Sequence, residues 1–339
     1  MKWFLRVMLW SNWAVVILTT IGYLASYIDP EQNSIPQAVG LFMPWLLLFN
    51  VLYFIFWISI RRRWFALSLI CIVLGFGQMT RFLGFHFSKH SDPAQIGICS
   101  FNSQSYNESD HLNGFLKEIK GQYQLDFICL QEITENHILS LKKTTGLDHH
   151  YFYKGKAILS RFPIEAQGNI QFDQSVNGCI WIDILLQGHK VRIYDLHLKS
   201  NQVTHEAETV LEDINSDRAK ALTNIRRMVT NYRRNSMVRK EQVLTILKNL
   251  DHTDYPIILA GDFNDTPFSY TYQQFSDRLI DQFKKKGLGI GSTYAGAVPG
   301  LKIDYIFADE FFEALDHQIL KGAAISDHFP VLSLMKIKE

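Results

Sequence analysis

Residues 257–265 read Ile-Ile-Leu-Ala-Gly-Asp-Phe-Asn-Asp: four apolar residues stop at a glycine, and two carboxylates and an amide follow within four positions. An apolar run this short, bounded by glycine, reads as a strand buried on both faces. Working outward, the same kind of boundary recurs. Residues 96–101 end at Asn102, 126–130 end at Gln131-Glu132, 191–196 run into His197, and the last strand, 330–335, is entered through Ser326-Asp327-His328. Further strands are read at 156–160, 179–186 and 303–307, and helices at 111–120, 136–143, 206–232, 239–249 and 269–275. Strands and helices are mixed, and 179–186 and 191–196 form a hairpin about Gly188. The pattern predicts an α/β (α+β) sandwich with antiparallel pairing and not a doubly wound parallel sheet.

The chain has 339 residues with 34 Lys+Arg against 33 Asp+Glu, so no global basic field drives unselective polyanion binding. Residues 1–90 hold seven Lys+Arg and two Asp+Glu, which leaves 91–339 with 27 against 31, mildly acidic. Cys71, Cys99, Cys129 and Cys179 are scattered through apolar runs and read as small buried hydrophobes, not as a disulfide framework or a metal site.

Three uncharged apolar stretches open the chain, at 7–28, 38–60 and 64–80, each near the roughly 20 residues that cross a bilayer core. They predict a membrane anchor of three transmembrane helices over 1–90 and a single domain over 91–339. Lys2 and Arg6 precede the first stretch, Arg61, Arg62 and Arg63 follow the second, and 29–37 carries no positive charge. The positive-inside rule then places everything after Thr80 outside the cytoplasm.

Singly, each polar strand end has a bland explanation: a solvated Glu, an Asp-Asn turn, a hydrogen-bonded structural His. Together, carboxylates, amides and imidazoles at one end of a sandwich are the ligand set of a hard divalent cation beside a phosphate. In order, SFN, LQEI, DLHL, GDFND, KIDYIF and SDHFP resemble the endonuclease/exonuclease/phosphatase superfamily of metal-dependent phosphoesterases, over roughly residues 95–337. GDFNDTPFSYTY, the later GIGSTYAG and the leading apolar stretches look like a membrane-anchored bacterial branch.

The resemblance implies a four-layer sandwich of two packed mixed sheets flanked by helices. It implies Mg²⁺ or Mn²⁺ as cofactor, held by Asn102, Glu132 and Asp327, with Asn102 also on the scissile phosphate. Asp262 and Asn264 would activate and orient the attacking water, with Asn264 also binding substrate. His328 would be paired with Asp304, and His197 would protonate the leaving oxygen or bind the phosphate. Lys302 stands where many relatives carry Arg, which puts a phosphate-binding role there in doubt.

The resulting expectation is an integral membrane hydrolase of phosphoester bonds with an extracytoplasmic catalytic domain, periplasmic in a Gram-negative cell. Its leading substrate is the DNA or RNA backbone. A lipid phosphodiester, or an inositol or small phosphoester, is the alternative. A catalytically inactive membrane binding protein is the alternative of another class. The basic run at 218–240 reads as a packed helix with a solvated face in preference to a polyanion or lipid-headgroup surface. His149-His150 beside Tyr151 and Tyr153 reads as a strand-edge cluster, and the Asn107-Glu108-Ser109 sequon carries no assigned role.

Overall fold

The computed structural model describes residues 2–87, 96–104, 109–172, 177–200, 218–296, 300–322 and 325–338. The chain opens with α1 (Lys2–Leu24), α2 (Ile35–Gly40), α3 (Met43–Ser59), α4 (Phe65–Leu74), α5 (Phe76–Met79) and β1 (Leu83–Phe85). Then come β2 (Ile96–Asn102), α6 (Ser109–Tyr123), β3 (Phe127–Gln131), α7 (Glu135–Thr145), β4 (His149–Tyr153), β5 (Lys156–Ser160), β6 (Ile164–Gln171), β7 (Gly178–Leu186) and β8 (His189–His197). The last part holds α8 (Arg218–Leu250), β9 (Ile257–Asp262), α9 (Tyr270–Ser276), β10 (Ile280–Asp281), α10 (Gln282–Lys286), β11 (Leu288–Ile290), β12 (Asp304–Ala308), β13 (Phe312–Ile319) and β14 (Val331–Ile337).

Two six-stranded sheets form, in the orders β13-β14-β2-β3-β5-β4 and β10-β12-β9-β8-β7-β6. Both are mixed, because β2 runs parallel to β3 and β8 parallel to β9 while their other neighbours are antiparallel. The β7–β8 hairpin turns on Gln187 and Gly188, at φ 50° and 86°, the left-handed pair that matches strand twist in a two-residue loop. One apolar cluster lies between the sheets, including Ile98, Phe127, Ile158, Ile182, Ile193 and Ile258. A second lies between α6, α7 and the first sheet, and a third between α8, α9 and the second sheet. Strands β2, β3, β5, β9 and β12 are buried on both faces, which is why they stand out as continuous apolar runs.

Strands β4, β6 and β13 escape that reading. Each lies at the end of its sheet, so one side of the strand needs no partner and one face tolerates charge and glycine. The His149-His150 pair lies in β4 as a half-buried edge, in line with the strand-edge reading. The two helices expected at 206–232 and 239–249 are one helix over 218–250, since 233–238 contains neither Gly nor Pro to break it. Residues 206–217 and Asn107-Glu108 fall outside the described residues.

The expectation of three membrane spans is corrected. Among the described residues one helix, α1 with 23 residues, is long and apolar enough to cross a bilayer, while α3 and α4 have 17 and 10. Apolar length overstates helix length here. Helix α2 ends at Gly40 and Leu41-Phe42 separates it from α3, Pro44 opens a new helix, and Gly75 interrupts the third stretch where a Cβ would fall 1.8 Å from the Tyr23 hydroxyl.

These helices pack with an inverted polarity. Asn12, Thr19, Asn50 and Ser68 are fully buried, and Asn12 Nδ2 donates to Ser68 Oγ at 3.1 Å and Asn50 Nδ2 to Thr19 Oγ1 at 2.8 Å. Trp3, Phe4, Trp10, Leu52, Ile70 and Leu74 instead face outward. The unit docks on the second sheet's end of the sandwich. Phe268 inserts among Met43, Leu46, Leu47, Met79 and Phe82, and Ser26 Oγ donates to the Phe268 carbonyl at 3.0 Å. Strand β1 pairs with β11, and Arg81 donates to Gln273 Oε1 at 2.7 Å.

Candidate active site

Sheet register places the polar strand ends in rows. His197 on β8 faces Asp262 on β9, and Asp262 faces Asp304 on β12, so three side chains occupy adjacent positions on three neighbouring strands. On the other sheet Asn102 of β2 lies opposite Gln131 of β3, which brings Glu132 alongside. Asp327 and His328 enter on the loop before β14. Ser326 Oγ holds that loop by donating to the Asn102 carbonyl at 2.8 Å and accepting from the His328 N–H at 3.1 Å. All eight residues singled out in the sequence thus converge on one end of the sandwich. Seven of them line a cavity of about 210 Å³, and Asp304 stands behind His328.

Asp262 sits at the centre, nearly fully buried. It accepts from Asn102 Nδ2 at 3.0 Å, from Asn264 Nδ2 at 3.0 Å and from the Asn264 N–H at 2.8 Å. His197 Nε2 lies 3.6 Å from Asp262 Oδ2 and 3.7 Å from Glu132 Oε1. His328 presents Nδ1 to Asp304 at 3.0 Å and Nε2 to Asp262 Oδ2 at 3.9 Å. Two of these residues carry strained backbones, Glu132 at φ 54° and Asn264 at φ 51°, a region L-residues seldom adopt outside over-determined sites. Gly261 is required by contact: at φ 141°, an added Cβ would stand 2.0 Å from the Leu196 carbonyl oxygen on the adjacent strand.

The two imidazoles are pushed in opposite directions. Burial lowers His197 to about 4, so it is neutral near pH 7. Burial would also lower His328, but Asp304, Asp262 and Asp327 outweigh it and raise it to about 10, which makes it a buried imidazolium. Burial pushes the Asp262 carboxyl up and His328 pulls it back.

A divalent cation fits the pocket's donor set. Glu132 and Asp327 keep 38% and 31% of their side chains exposed, while Asn102 stands beside Glu132, with its Nδ2 3.3 Å from Glu132 Oε1. These are oxygen donors with room for a substrate oxygen. Asp262, Asp304 and His328 also lie close enough to hold a metal, but their polar atoms are already committed to one another and to Asn102 and Asn264.

Several supporting residues show their contacts only in three dimensions, among them Thr293 and Tyr294, which resemble a family feature at the site's rim but carry no role readable from the sequence. Thr293 Oγ1 accepts from the Ile303 and Asp304 N–H groups at 2.9 and 3.1 Å, and fixes the start of β12. Tyr294 sets its ring edge-on to His328 at 5.5 Å. Asp195, buried between the sheets, accepts from Gln131 beneath the site, and burial holds its carboxyl well above the usual range. Leu41, from the N-terminal unit, closes one wall of the cavity. Lys302 points away from the pocket: its Nζ is 3.0 Å from Asp281 Oδ2 and donates to the Arg81 carbonyl at 3.0 Å. In the basic run, Arg239 is buried and paired with Asp265 at 3.1 Å, and Lys240 is paired with Asp29 at 2.9 Å, whereas Arg226, Arg227 and Arg234 are exposed.

Comparison with known proteins agrees with this geometry. Residues 99–328 match the endonuclease/exonuclease/phosphatase family, and residues 5–82 match a domain of unknown function (DUF8431). No curated protein matches the sequence. Among solved structures, a family protein from Bacteroides thetaiotaomicron is 16% identical, with a TM-score of 0.52 over 72% of this chain and 98% of that one. A mannosyl-6-phosphatase of the same organism is 16% identical, with a TM-score of 0.51 over 71% and 100%. The human Nocturnin catalytic domain with bound sulfate is 16% identical, with a TM-score of 0.52 over 72% and 93%. With the family model spanning most of the chain and the fold shared, this chain belongs to the endonuclease/exonuclease/phosphatase family, whose members are metal-dependent hydrolases of phosphoester bonds.

Proposed function

We propose that the chain is a membrane-associated, Mg²⁺- or Mn²⁺-dependent phosphodiesterase, with a membrane unit over 1–90 and a catalytic domain over 91–339. The observation that carries this reading is the facing pair of Asp262 and His328, backed by Asp304, beside the open carboxylates Glu132 and Asp327. Glu132, Asp327 and Asn102 hold the cation, which supplies charge neutralisation at the phosphate oxygens.

The chain's own residues do the rest. Asp262 accepts a proton from the water it orients with Asn264, and a carboxyl pushed up by burial is a stronger base for that task. The water oxygen adds to phosphorus, and the P–O bond to the alcohol breaks with its electron pair. The departing alkoxide takes a proton from solvent, and Asp262 returns to solvent the one it took from water, so the step balances. His328, held charged by Asp304, stabilises the negative charge that gathers on the phosphoryl oxygens. Neutral His197 donates one hydrogen bond to the phosphate and aligns it.

Membrane association rests on α1 and on the inverted polarity of the helices around it. Lys2, Arg6 and Arg62 share one cleft at the far end of α1 from the Ser26 contact, so the positive-inside rule supports an extracytoplasmic catalytic domain. A nucleic-acid substrate draws support from Lys220, Arg226, Arg227, Arg233 and Arg234, which are exposed, whereas Arg239 and Lys240 of that run are buried in internal pairs.

The test is hydrolysis of bis(4-nitrophenyl) phosphate by the detergent-solubilised full chain. Turnover abolished by EDTA and restored by Mg²⁺ or Mn²⁺ is expected. Turnover indifferent to EDTA contradicts the reading.

A further inference from the structure

The catalytic cavity has two chemically distinct walls. Asp262, His328, Glu132 and Asn102 form the polar one, and Leu41, Leu301, Ile303 and Tyr294 form the other. Leu41 does not come from the sandwich. It lies in the two-residue break between α2 and α3, and with Ala38 of α2 it packs on Met228, Tyr232, Tyr294, Leu301 and Ile303. Phe42, the next residue, is exposed, and beyond it α3 turns Leu48, Phe49 and Leu52 outward. Leu41 thus joins the catalytic cavity to the helical unit, whose outer surface bears Phe42, Leu48, Phe49 and Leu52.

The docking is firm enough to fix this wall. The loop that carries Asn264 and Asp265 continues directly into Phe268, which is fully buried in the helical unit. Lys302, one residue from the wall residue Ile303 and two from Asp304, bonds the Arg81 carbonyl. Gln37 of α2 accepts from the Tyr270 N–H at 3.4 Å, and its Nε2 donates to the Ala25 carbonyl at 2.7 Å.

Resting on the phosphodiesterase reading above, we infer that Leu41 determines specificity, and that the substrate is an amphiphilic phosphoester whose apolar chain lies along the Leu41 wall and enters from the bilayer side. The reaction is the hydrolysis already described, with nothing oxidised or reduced. What the wall adds is binding of the chain, which strengthens with each methylene removed from water.

The probe is a series of alkyl 4-nitrophenyl phosphates with methyl, hexyl and dodecyl chains below their micelle concentrations, hydrolysed by the solubilised full chain with Mg²⁺. The scissile bond is constant and only the chain changes. The expected result is a kcat/KM at least tenfold higher for hexyl than for methyl, carried by KM, with Leu41→Asp abolishing the preference. Leu41→Ala reduces the preference in the same direction if the charged variant does not fold. A chain-length preference equal in wild type and both variants overturns the role of Leu41. Equal rates along the series in the wild type, together with cleavage of a single-stranded oligonucleotide, overturn the substrate class and leave the phosphodiesterase reading intact. No hydrolysis of any ester by protein that binds Mn²⁺ overturns both, through failure of the underlying reading.

Discussion

The Asp304 carboxylate and the His328 imidazole meet at 3.0 Å, on the side of the ring away from the cavity, and Asp304 is fixed by strand pairing to Asp262 on β9. The ring is therefore oriented by a group that never touches substrate. Asp304→Asn keeps the shape but removes the charge that holds the imidazolium. A kcat reduced about tenfold with KM nearly unchanged is expected, against roughly 10²-fold or more for His328→Gln. Steady-state kinetics on the two variants checks the order.

Glu132 combines an exposed carboxylate with a backbone at φ 54°. Glu132→Gln should weaken Mn²⁺ binding by at least about tenfold while unfolding as the parent does, because a neutral amide is a poorer ligand for a hard cation. Calorimetric titration with Mn²⁺, alongside thermal unfolding, separates loss of the ligand from loss of the fold.

Gly261→Ala should be costly although it adds one methyl group. Its Cβ would fall 2.0 Å from the Leu196 carbonyl oxygen, so the β8–β9 pair that carries His197 and Asp262 must separate. A loss of about 1–3 kcal/mol from the backbone conformation alone, plus the displaced pairing, should appear as a lower Tm.

His317 gives a pH-dependent stability far from the chemistry. It is buried on β13 with Nδ1 2.7 Å from Ser333 Oγ, and burial lowers it to about 3. The unfolded chain, with an ordinary imidazole near 6.5, binds the proton first. Stability is thus fully present above about pH 6.5 and falls as the pH drops from there toward 3. His317→Gln should flatten that slope in denaturant unfolding measured between pH 7 and pH 4.

Arg239 is the one fully buried arginine among the described residues, and Asp265 receives both its Nε at 3.1 Å and the Tyr232 hydroxyl at 3.1 Å. Arg239→Ala leaves that carboxylate uncompensated, and a loss of about 3–5 kcal/mol is expected in equilibrium unfolding.

Much of this was legible in the sequence, for physical reasons that differ by residue. Buried central strands such as β3 and β9 must be apolar throughout, so their polar ends Glu132 and Asp262 stood out against the run. Edge strands such as β6 alternate half-buried and exposed positions, and Gly168 and Asn169 disguise them. Leu41 was hidden in an apolar stretch where nothing distinguishes a residue facing a cavity from one facing lipid. Thr293 acts through two backbone N–H groups ten and eleven residues away, a relationship that composition does not carry. The apolar stretches gave hydrophobicity but not helix length, which Gly40, Pro44 and Gly75 set.

The most direct measurement is the rate of Asp262→Asn under saturating Mg²⁺, with bis(4-nitrophenyl) phosphate and the full chain in detergent. Asp262 receives Asn102 and Asn264 and faces both imidazoles, so every part of the site meets there. A folded, Mn²⁺-binding variant with turnover reduced at least about 10²-fold is the expected result. Wild-type turnover in that variant would contradict the assignment of this pocket as the place where a phosphoester is hydrolysed.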